Sequence, residues 1–169
     1  MAYIPLIDYT YFDTYLNISG ISGTTVPALA RRSELNAYIK RYEKKALISI
    51  LGEDLYNAFQ AGLVGTVAAR WVALKAQLVD TTAKTSPLAN YVWYKWQQTH
   101  QQTTTAQGDR QTNTENMGAH QNDALYVHVW NELVEFLPDF YEWLDTNVAT
   151  YPEYNGEQWD IEEVNTFGI

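Results

Sequence analysis

Residues 123–149, DALYVHVWNELVEFLPDFYEWLDTNVA, carry the longest helical pattern in the chain. Apolar side chains recur there every three or four positions, which places them on one face of a helix. This stripe consists of Leu125, Val129, Leu133, Leu137, Phe140, Leu144 and Val148. Pro138 lies inside the pattern, and we expect it to kink the helix or to divide it in two. The pattern favours an all-α bundle.

Four shorter helical patterns precede this stretch. The first begins after Ser33, its predicted N-cap, and ends near Gly52. The second covers about Glu53–Leu63 and the third about Thr66–Val79. The fourth opens at Ser86-Pro87, because a capping hydroxyl followed by proline is typical of a first helical turn. It is apolar on nearly every side, which indicates packing on several faces and, in so small a domain, contact with another subunit.

Three segments lie outside the predicted helical bundle, which covers residues 33–149. Residues 1–32 are rich in aromatic and β-branched side chains without helical spacing, so they predict an extended arm that presses on the chain's own core or on a neighbour's. Residues 97–123 form a polar Thr- and Gln-rich excursion, either a long loop or a β-hairpin in which 101–106 pairs with 111–116. Residues 150–169 predict an extended acidic tail that only partners hold.

Composition limits the class of protein. The 169 residues are 46% hydrophobic and 14% aromatic, so the chain can bury a core and is not wholly disordered. Its net charge of -9 argues against wrapping duplex DNA, which requires a basic footprint. With no cysteine, thiolate zinc sites, disulfides and cysteine nucleophiles are excluded. We find neither a secretory leader nor a membrane-spanning stretch, and expect a soluble protein.

Residues with catalytic potential are sparse. His128 and Glu132 are one helical turn apart, and with Glu135 they make a small helical metal-dependent enzyme an alternative. We find no nucleophile elbow, no phosphate loop and no zinc-peptidase motif, and expect no catalytic, metal or cofactor site. A cluster of Lys40, Arg41, Lys44 and Lys45 predicts either a solvated helix face or a surface for an acidic partner, such as the tail of another copy.

Three stretches resemble a known family. Residues 50–56, ILGEDLY, close one predicted helix and open the next; residues 88–96, LANYVWYKW, are strongly aromatic; and Trp130-Asn131-Glu132 lies in the last helix. This order, with a polar excursion before the last helix, is similar to the small head–tail connector, or adaptor, proteins of tailed bacteriophages, especially those of crAss-like phages. The resemblance covers about residues 33–148. The aromatic first 30 residues and the acidic tail depart from it.

The resemblance implies a structural, non-enzymatic virion protein. Such subunits assemble, usually as twelve copies, into a ring that joins the portal to the tail and lines the DNA channel. The partners would be further copies, the portal protein, and tail or other ring proteins, with DNA passing through without specific binding and with no membrane. The protein would occupy the head–tail junction of the virion, and the host cytoplasm during assembly. An acidic DNA mimic that inhibits a host protein is a further alternative.

Candidate subunit contacts follow from the arm, the fourth helix, the excursion and the tail, because Trp and Tyr are enriched at buried protein–protein contacts. They are Tyr9, Tyr11, Phe12, Tyr91, Trp93, Trp96, Thr104, Gln107, Gly108, Asp109, Arg110, Trp159 and Phe167.

Overall fold

The computed structural model describes residues 3–100, 102–105, 108–111 and 118–164, and the side chains of 3–100 and 124–164. These ranges contain a short 3-10 turn, five α-helices and two short strands. The helices are α1 (Val26–Leu51), α2 (Glu53–Gly62), α3 (Ala69–Leu78), α4 (Pro87–His100) and α5 (Gly118–Thr146), and the strands are β1 (Gln102–Thr105) and β2 (Gly108–Gln111). The predicted all-α bundle of about five helices is confirmed.

Helix α1 begins earlier than the sequence indicated. It starts at Val26, with Thr25 at the N-cap position and Pro27 in the first turn, so Ser33 lies inside the helix and does not cap it. The predicted boundary at residue 32 is therefore wrong. Proline lacks only an N–H that the first turn leaves free anyway, and Pro27 starts the helix instead of interrupting it. The N-terminal arm ends at Thr25, and its described part is residues 3–25.

Helices α2 and α3 meet at a glycine. Gly62 closes α2 and lies so near Trp71 of α3 that a Cβ atom at position 62 would be 1.8 Å from Trp71 Nε1. No other residue type fits this contact without movement, so the crossing of the two helices depends on Gly62. The predicted bounds of α2 are confirmed to within one residue, whereas α3 begins at Ala69 and not at Thr66.

Helix α4 lies at the centre of the bundle, where it packs against both α1 and α5. Its start is as predicted: Ser86 Oγ accepts a hydrogen bond from the Leu88 N–H at 3.1 Å and donates one to the Leu78 carbonyl at 2.8 Å. Its buried apolar side chains, Leu88, Val92, Trp93 and Trp96, belong to the core of the same chain. The apolar character of α4 is therefore explained within one subunit.

The polar excursion contains a hairpin, formed by β1 and β2. The strands are antiparallel, with Thr105 opposite Gly108 and Gln102 opposite Gln111. Strand β2 therefore begins at Gly108, within the predicted turn, and the predicted pairing with 111–116 is wrong. Helix α5 then runs from Gly118 through Pro138 to Thr146 as one helix, so the proline does not divide it.

Both terminal segments pack on their own chain. The arm forms a 3-10 turn at Tyr9–Phe12, and its buried apolar residues are Leu6, Ile7, Tyr11, Phe12, Leu16, Ile18 and Ile21. In the tail, Tyr151 and Tyr154 are buried in the same core. The prediction that only partners hold the tail is wrong, since tyrosines spaced three apart anchor its beginning. No helix in the described ranges combines the length and apolar character needed to cross a bilayer.

Candidate functional site

Four of the aromatic residues that the sequence predicts as subunit contacts lie in the core of a single chain. Tyr11 and Phe12 of the arm and Trp93 and Trp96 of α4 are all buried. Trp96 meets Tyr38 of α1 edge-to-face, with ring centroids 4.9 Å apart. In the structure these four side chains have no exposed face to offer a neighbouring subunit, because α1, α4, α5 and the arm already surround them.

Three further candidates are half-buried where the arm and the tail contact the helical bundle. The Arg32 guanidinium lies over the ring of Tyr9, 4.3 Å from its centroid. Tyr91 of α4 meets Trp159 of the tail edge-to-face at 5.3 Å. Tyr91 and Trp159, which sequence reasoning assigned to subunit contacts, therefore join the tail to the bundle of the same chain.

The remaining candidates fall on the hairpin or outside the described residues. Thr104 lies opposite Asp109, and Arg110 lies opposite Thr103. Gly108 is the first residue of β2, directly opposite the end of β1. Gln107 and Phe167 lie outside the described residues. The hairpin thus brings four of the candidates together at the junction of α4 and α5.

Two buried polar side chains hold the beginning of the arm. Ile4 N–H donates to Gln60 Oε1 at 2.8 Å, and Gln60 Nε2 donates to the Ile4 carbonyl at 3.2 Å, so one amide side chain satisfies both backbone groups of one residue. Glu43 Oε1 accepts from the N–H groups of Leu6 at 2.7 Å and Ile7 at 3.1 Å. We call the surface formed by Glu43 and Gln60 the arm groove.

The electrostatics of the arm groove are unusual because its carboxylate is fully buried. Burial raises the pKa of Glu43 to about 7, although the hydrogen bonds from Tyr3, Leu6 and Ile7 and the charge of Lys75 oppose the rise. Burial and the neighbouring Glu43 charge also raise the pKa of Tyr3, whose hydroxyl therefore stays protonated and donates to Glu43. Glu43 and Gln60 therefore bind the extended arm mainly through its backbone, and Tyr3 is the arm side chain that donates a hydrogen bond to Glu43.

A similar arrangement on α5 holds residues 159–164 of the tail. Val164 N–H donates to Asn131 Oδ1 at 2.9 Å, and Asn131 Nδ2 donates to the Val164 carbonyl at 2.9 Å. Trp130 Nε1 donates to the Glu162 carbonyl at 2.8 Å, and the Tyr141 hydroxyl accepts from the Trp159 N–H at 2.7 Å. We call the surface formed by Trp130, Asn131 and Tyr141 the tail groove. Like the arm groove, the tail groove binds backbone groups of the terminal segment.

Two of the three candidate metal ligands, Glu132 and Glu135, line a cleft of about 490 Å³, whereas His128 does not line it. His128 Nε2 is 3.3 Å from Glu132 Oε1, so the predicted pair does form. The other oxygen, Oε2, accepts from Asn90 Nδ2 at 3.0 Å and is 2.9 Å from the Tyr15 hydroxyl. Across the described ranges, no three His, Cys, Asp or Glu side chains cluster as metal ligands. Glu132 here joins the arm to α4 and α5.

The basic cluster of Lys40, Arg41, Lys44 and Lys45 is exposed along α1. None of the four forms an ion pair with a described residue; the three ion pairs found there join Arg70 to Glu153, His100 to Glu34 and His128 to Glu132. The described part of the tail therefore does not neutralise the cluster within one chain, and an acidic partner, such as the tail of another copy, stays a prediction.

Sequence reasoning missed the residues that hold the two terminal segments. Glu43 could have been found, because it stands four positions after Ile39 and four before Leu47 on the apolar face of α1. A lone carboxylate on such a face needs a buried partner. Gln60 and Asn131 carry no comparable signal, because they are uncharged and bind backbone groups, which every residue has.

Comparisons with known proteins found no match to this chain. No protein-family model matches the chain, and the searches of curated proteins and of solved structures also gave no match.

Proposed function

We propose that the protein is a non-enzymatic structural subunit of a tailed-bacteriophage head–tail connector, in which copies form a ring between the portal and the tail. The three stretches that carry the resemblance occupy defined positions. Residues 50–56 span the α1–α2 junction, residues 88–96 lie within α4, and Trp130-Asn131-Glu132 lies within α5. In this proposal the protein belongs to the head–tail junction of the virion and to the host cytoplasm during assembly.

The hairpin is the observation that carries the proposal. Its two strands pair with each other, and the described residues contribute no third strand to that sheet. A two-stranded sheet has two outer edges with unpaired N–H and C=O groups, and it is marginally stable by itself in water. Pairing with a neighbouring subunit satisfies those groups. A polar hairpin at one end of a helical bundle suits a ring, where each copy offers the same element to the next.

Charge distribution gives the proposal its second support. The chain as a whole carries -9, which suits a channel through which DNA moves without adhering. The exposed basic cluster on α1 is an exception within this acidic surface, and it fits an acidic face of an adjacent subunit. We propose further copies, the portal and tail components as partners, with no catalytic cofactor.

Removal of the excursion tests the proposal. One variant lacks residues 101–116, and a matched control replaces the same residues by a Gly/Ser linker of equal length. Both keep the described bundle, so circular dichroism and thermal unfolding should show folded helical protein. Native mass spectrometry and negative-stain images of the parent chain should show rings, whereas both variants should be monomers. The control shows whether assembly requires the hairpin itself or only a connection of the same length.

Two results would count against the proposal. Rings of unchanged size from both variants would remove the hairpin from the interface. Monomers from the parent chain, alone and with portal protein present, would contradict ring formation itself. Stoichiometric metal in the purified parent chain, measured by elemental analysis, would favour the metal-enzyme alternative instead.

A further inference from the structure

We propose that the arm is exchanged between copies, so that the arm groove of one subunit binds residues Tyr3–Ile7 of its neighbour. The partner is a second copy of this chain, and Glu43 and Gln60 then form a site that the neighbouring copy completes. This inference rests on the proposed function in one respect, because it requires that copies meet in an assembly.

The arm groove cannot remain empty. With the arm bound, Glu43 is 0% exposed and Gln60 is 3% exposed, and both bind polar groups of the arm. The apolar arm residues, Phe12 and Leu16 among them, also fill the core. Some copy's arm must therefore always occupy the groove.

The contacts do not depend on which copy supplies the arm. Four of the five hydrogen bonds in the groove go to backbone groups of Ile4, Leu6 and Ile7, and the fifth comes from the Tyr3 hydroxyl. An arm from a neighbour makes the same five bonds and buries the same side chains. The free-energy difference between the two arrangements therefore arises only at the hinge and at any new surface that exchange brings together.

The connection between arm and bundle has the properties of a hinge. Residues 22–27 are all exposed. Gly23 has φ +91°, and a Cβ atom there would meet nothing within 4 Å, so the segment is not packed. Arg32 holds it by donating to the carbonyls of Ile21 and Gly23. Thr25, at the N-cap position of α1, has extended backbone angles, with φ -70° and ψ 153°.

Apolar surface at this hinge lacks a partner in a single chain. Val26 is 80% exposed and Leu29 is 51% exposed, both in the first turn of α1. Beside them is a cleft of about 590 Å³, lined by Ser19, Gly20, Pro27, Ala30, Arg31 and Glu34. When an arm crosses to the next copy, the hinges of the two copies come together at this place. Burying Val26 and Leu29 there favours the exchanged form. Passing every arm to the next copy in one direction closes a ring.

Cross-linking between two single-cysteine variants tests the exchange. The chain has no native cysteine, so introduced thiols react alone. Pro5→Cys and Ala61→Cys are exposed positions beside the Ile4–Gln60 contact. The two variants are mixed in equal amounts, unfolded and refolded together, assembled, and treated with a short bismaleimide. Exchange predicts that up to half of the Ala61→Cys chains become linked to Pro5→Cys chains on a denaturing gel.

Two further samples make the result interpretable. The first sample mixes Pro5→Cys with Glu163→Cys. Glu163 is exposed and stands next to Val164, which the tail groove holds. This sample measures cross-linking by random collision and should give few linked pairs. A double variant with both Pro5→Cys and Ala61→Cys should link within one chain in dilute solution and between chains in the assembled sample. If the assembled double variant links only within each chain, the exchange is overturned.

The outcomes separate this inference from the proposed function. Rings whose arms link only within their own chains overturn the exchange and leave the connector proposal standing. Absence of rings contradicts the connector proposal. In that case, linked pairs at high protein concentration above the Glu163→Cys background still support exchange between copies, and pairs at the background level overturn it.

Discussion

The hydroxyl group of Tyr3 donates a hydrogen bond to the carboxylate of Glu43, 40 positions further along the chain. This contact joins the first described residue of the arm to the middle of α1. Glu43 is wholly buried, so a change in its protonation takes place inside the core of the protein. The contribution of this carboxyl group to the stability of the fold should therefore depend on pH.

We expect Glu43→Gln to remove a loss of stability that the parent chain undergoes as pH rises. The pKa of Glu43 is about 7 in the folded protein against 4.5 as the ordinary value, so the folded state binds more protons between those values. Stability from this group is present below about pH 4.5 and declines until about pH 7. The difference corresponds to about 3 kcal/mol. Urea unfolding at pH 5 and pH 8 measures it.

The matched control for this experiment is Glu163→Gln, which changes an exposed carboxylate in the tail. It should follow the parent chain within about 0.5 kcal/mol at both pH values. The free energy of unfolding of the Glu43→Gln variant, relative to that of the parent chain, should increase between pH 5 and pH 8. A constant difference between the two over this range would contradict the raised pKa.

Asn131→Ala should release the end of the tail without unfolding the bundle. The substitution removes both hydrogen bonds to Val164, at a cost of about 1–3 kcal/mol to the docked tail. Cleavage by a glutamate-specific protease at Glu162 and Glu163 should therefore become about tenfold faster or more. Asn57→Ala, an exposed position on α2, is the control and should be cleaved at the parental rate. Equal rates for both variants would mean that Asn131 does not hold the tail.

Gly62→Ala should destabilise the protein, against the usual preference of helices for alanine. In an exposed helix this change stabilises by about 0.5–1 kcal/mol. Here the new methyl group would stand 1.8 Å from Trp71 Nε1, so the buried indole ring or the backbone at position 62 must move. Overpacking of this kind costs about 1–3 kcal/mol. Thermal unfolding, with Ala61→Ser as the exposed neighbour control, gives the sign, and a stabilised variant would refute the close contact.

Phe12→Ala distinguishes a core residue from an interface residue. Phe12 is fully buried in the described chain, so its truncation should lower the free energy of unfolding by about 3–5 kcal/mol. This loss should appear in dilute protein, before any assembly. Val26→Ala, at an exposed position, should leave the unfolding of dilute protein within about 0.5 kcal/mol of the parent. If Phe12→Ala unfolds like the parent, the arm does not pack in the core.

Local chemistry explains which elements the sequence could predict. The start of α4 follows from Ser86 and Pro87, and the bounds of α2 follow from Glu53 and Gly62, because caps and end residues act within a few positions. The start of α1 was missed through the same kind of signal. Pro27 stands in the first turn of α1, where proline begins a helix.

Long-range partners explain what the sequence could not predict. The density of aromatic residues correctly indicated burial, yet nothing in it specified that Trp93 and Trp96 are covered by their own chain. The contact of Gln60 with Ile4 and that of Asn131 with Val164 each join one side chain to backbone groups far along the chain. Backbone groups are the same at every residue, so no residue type marks them as partners.

The mass of the 169-residue chain in solution tests the central claim most directly. Native mass spectrometry or mass photometry of the 19.4 kDa chain, alone and after mixing with a portal protein, should reveal closed assemblies of many copies. Negative-stain images of the same samples should show rings. A single mass of 19.4 kDa in both samples would contradict the claim that this protein is a ring subunit.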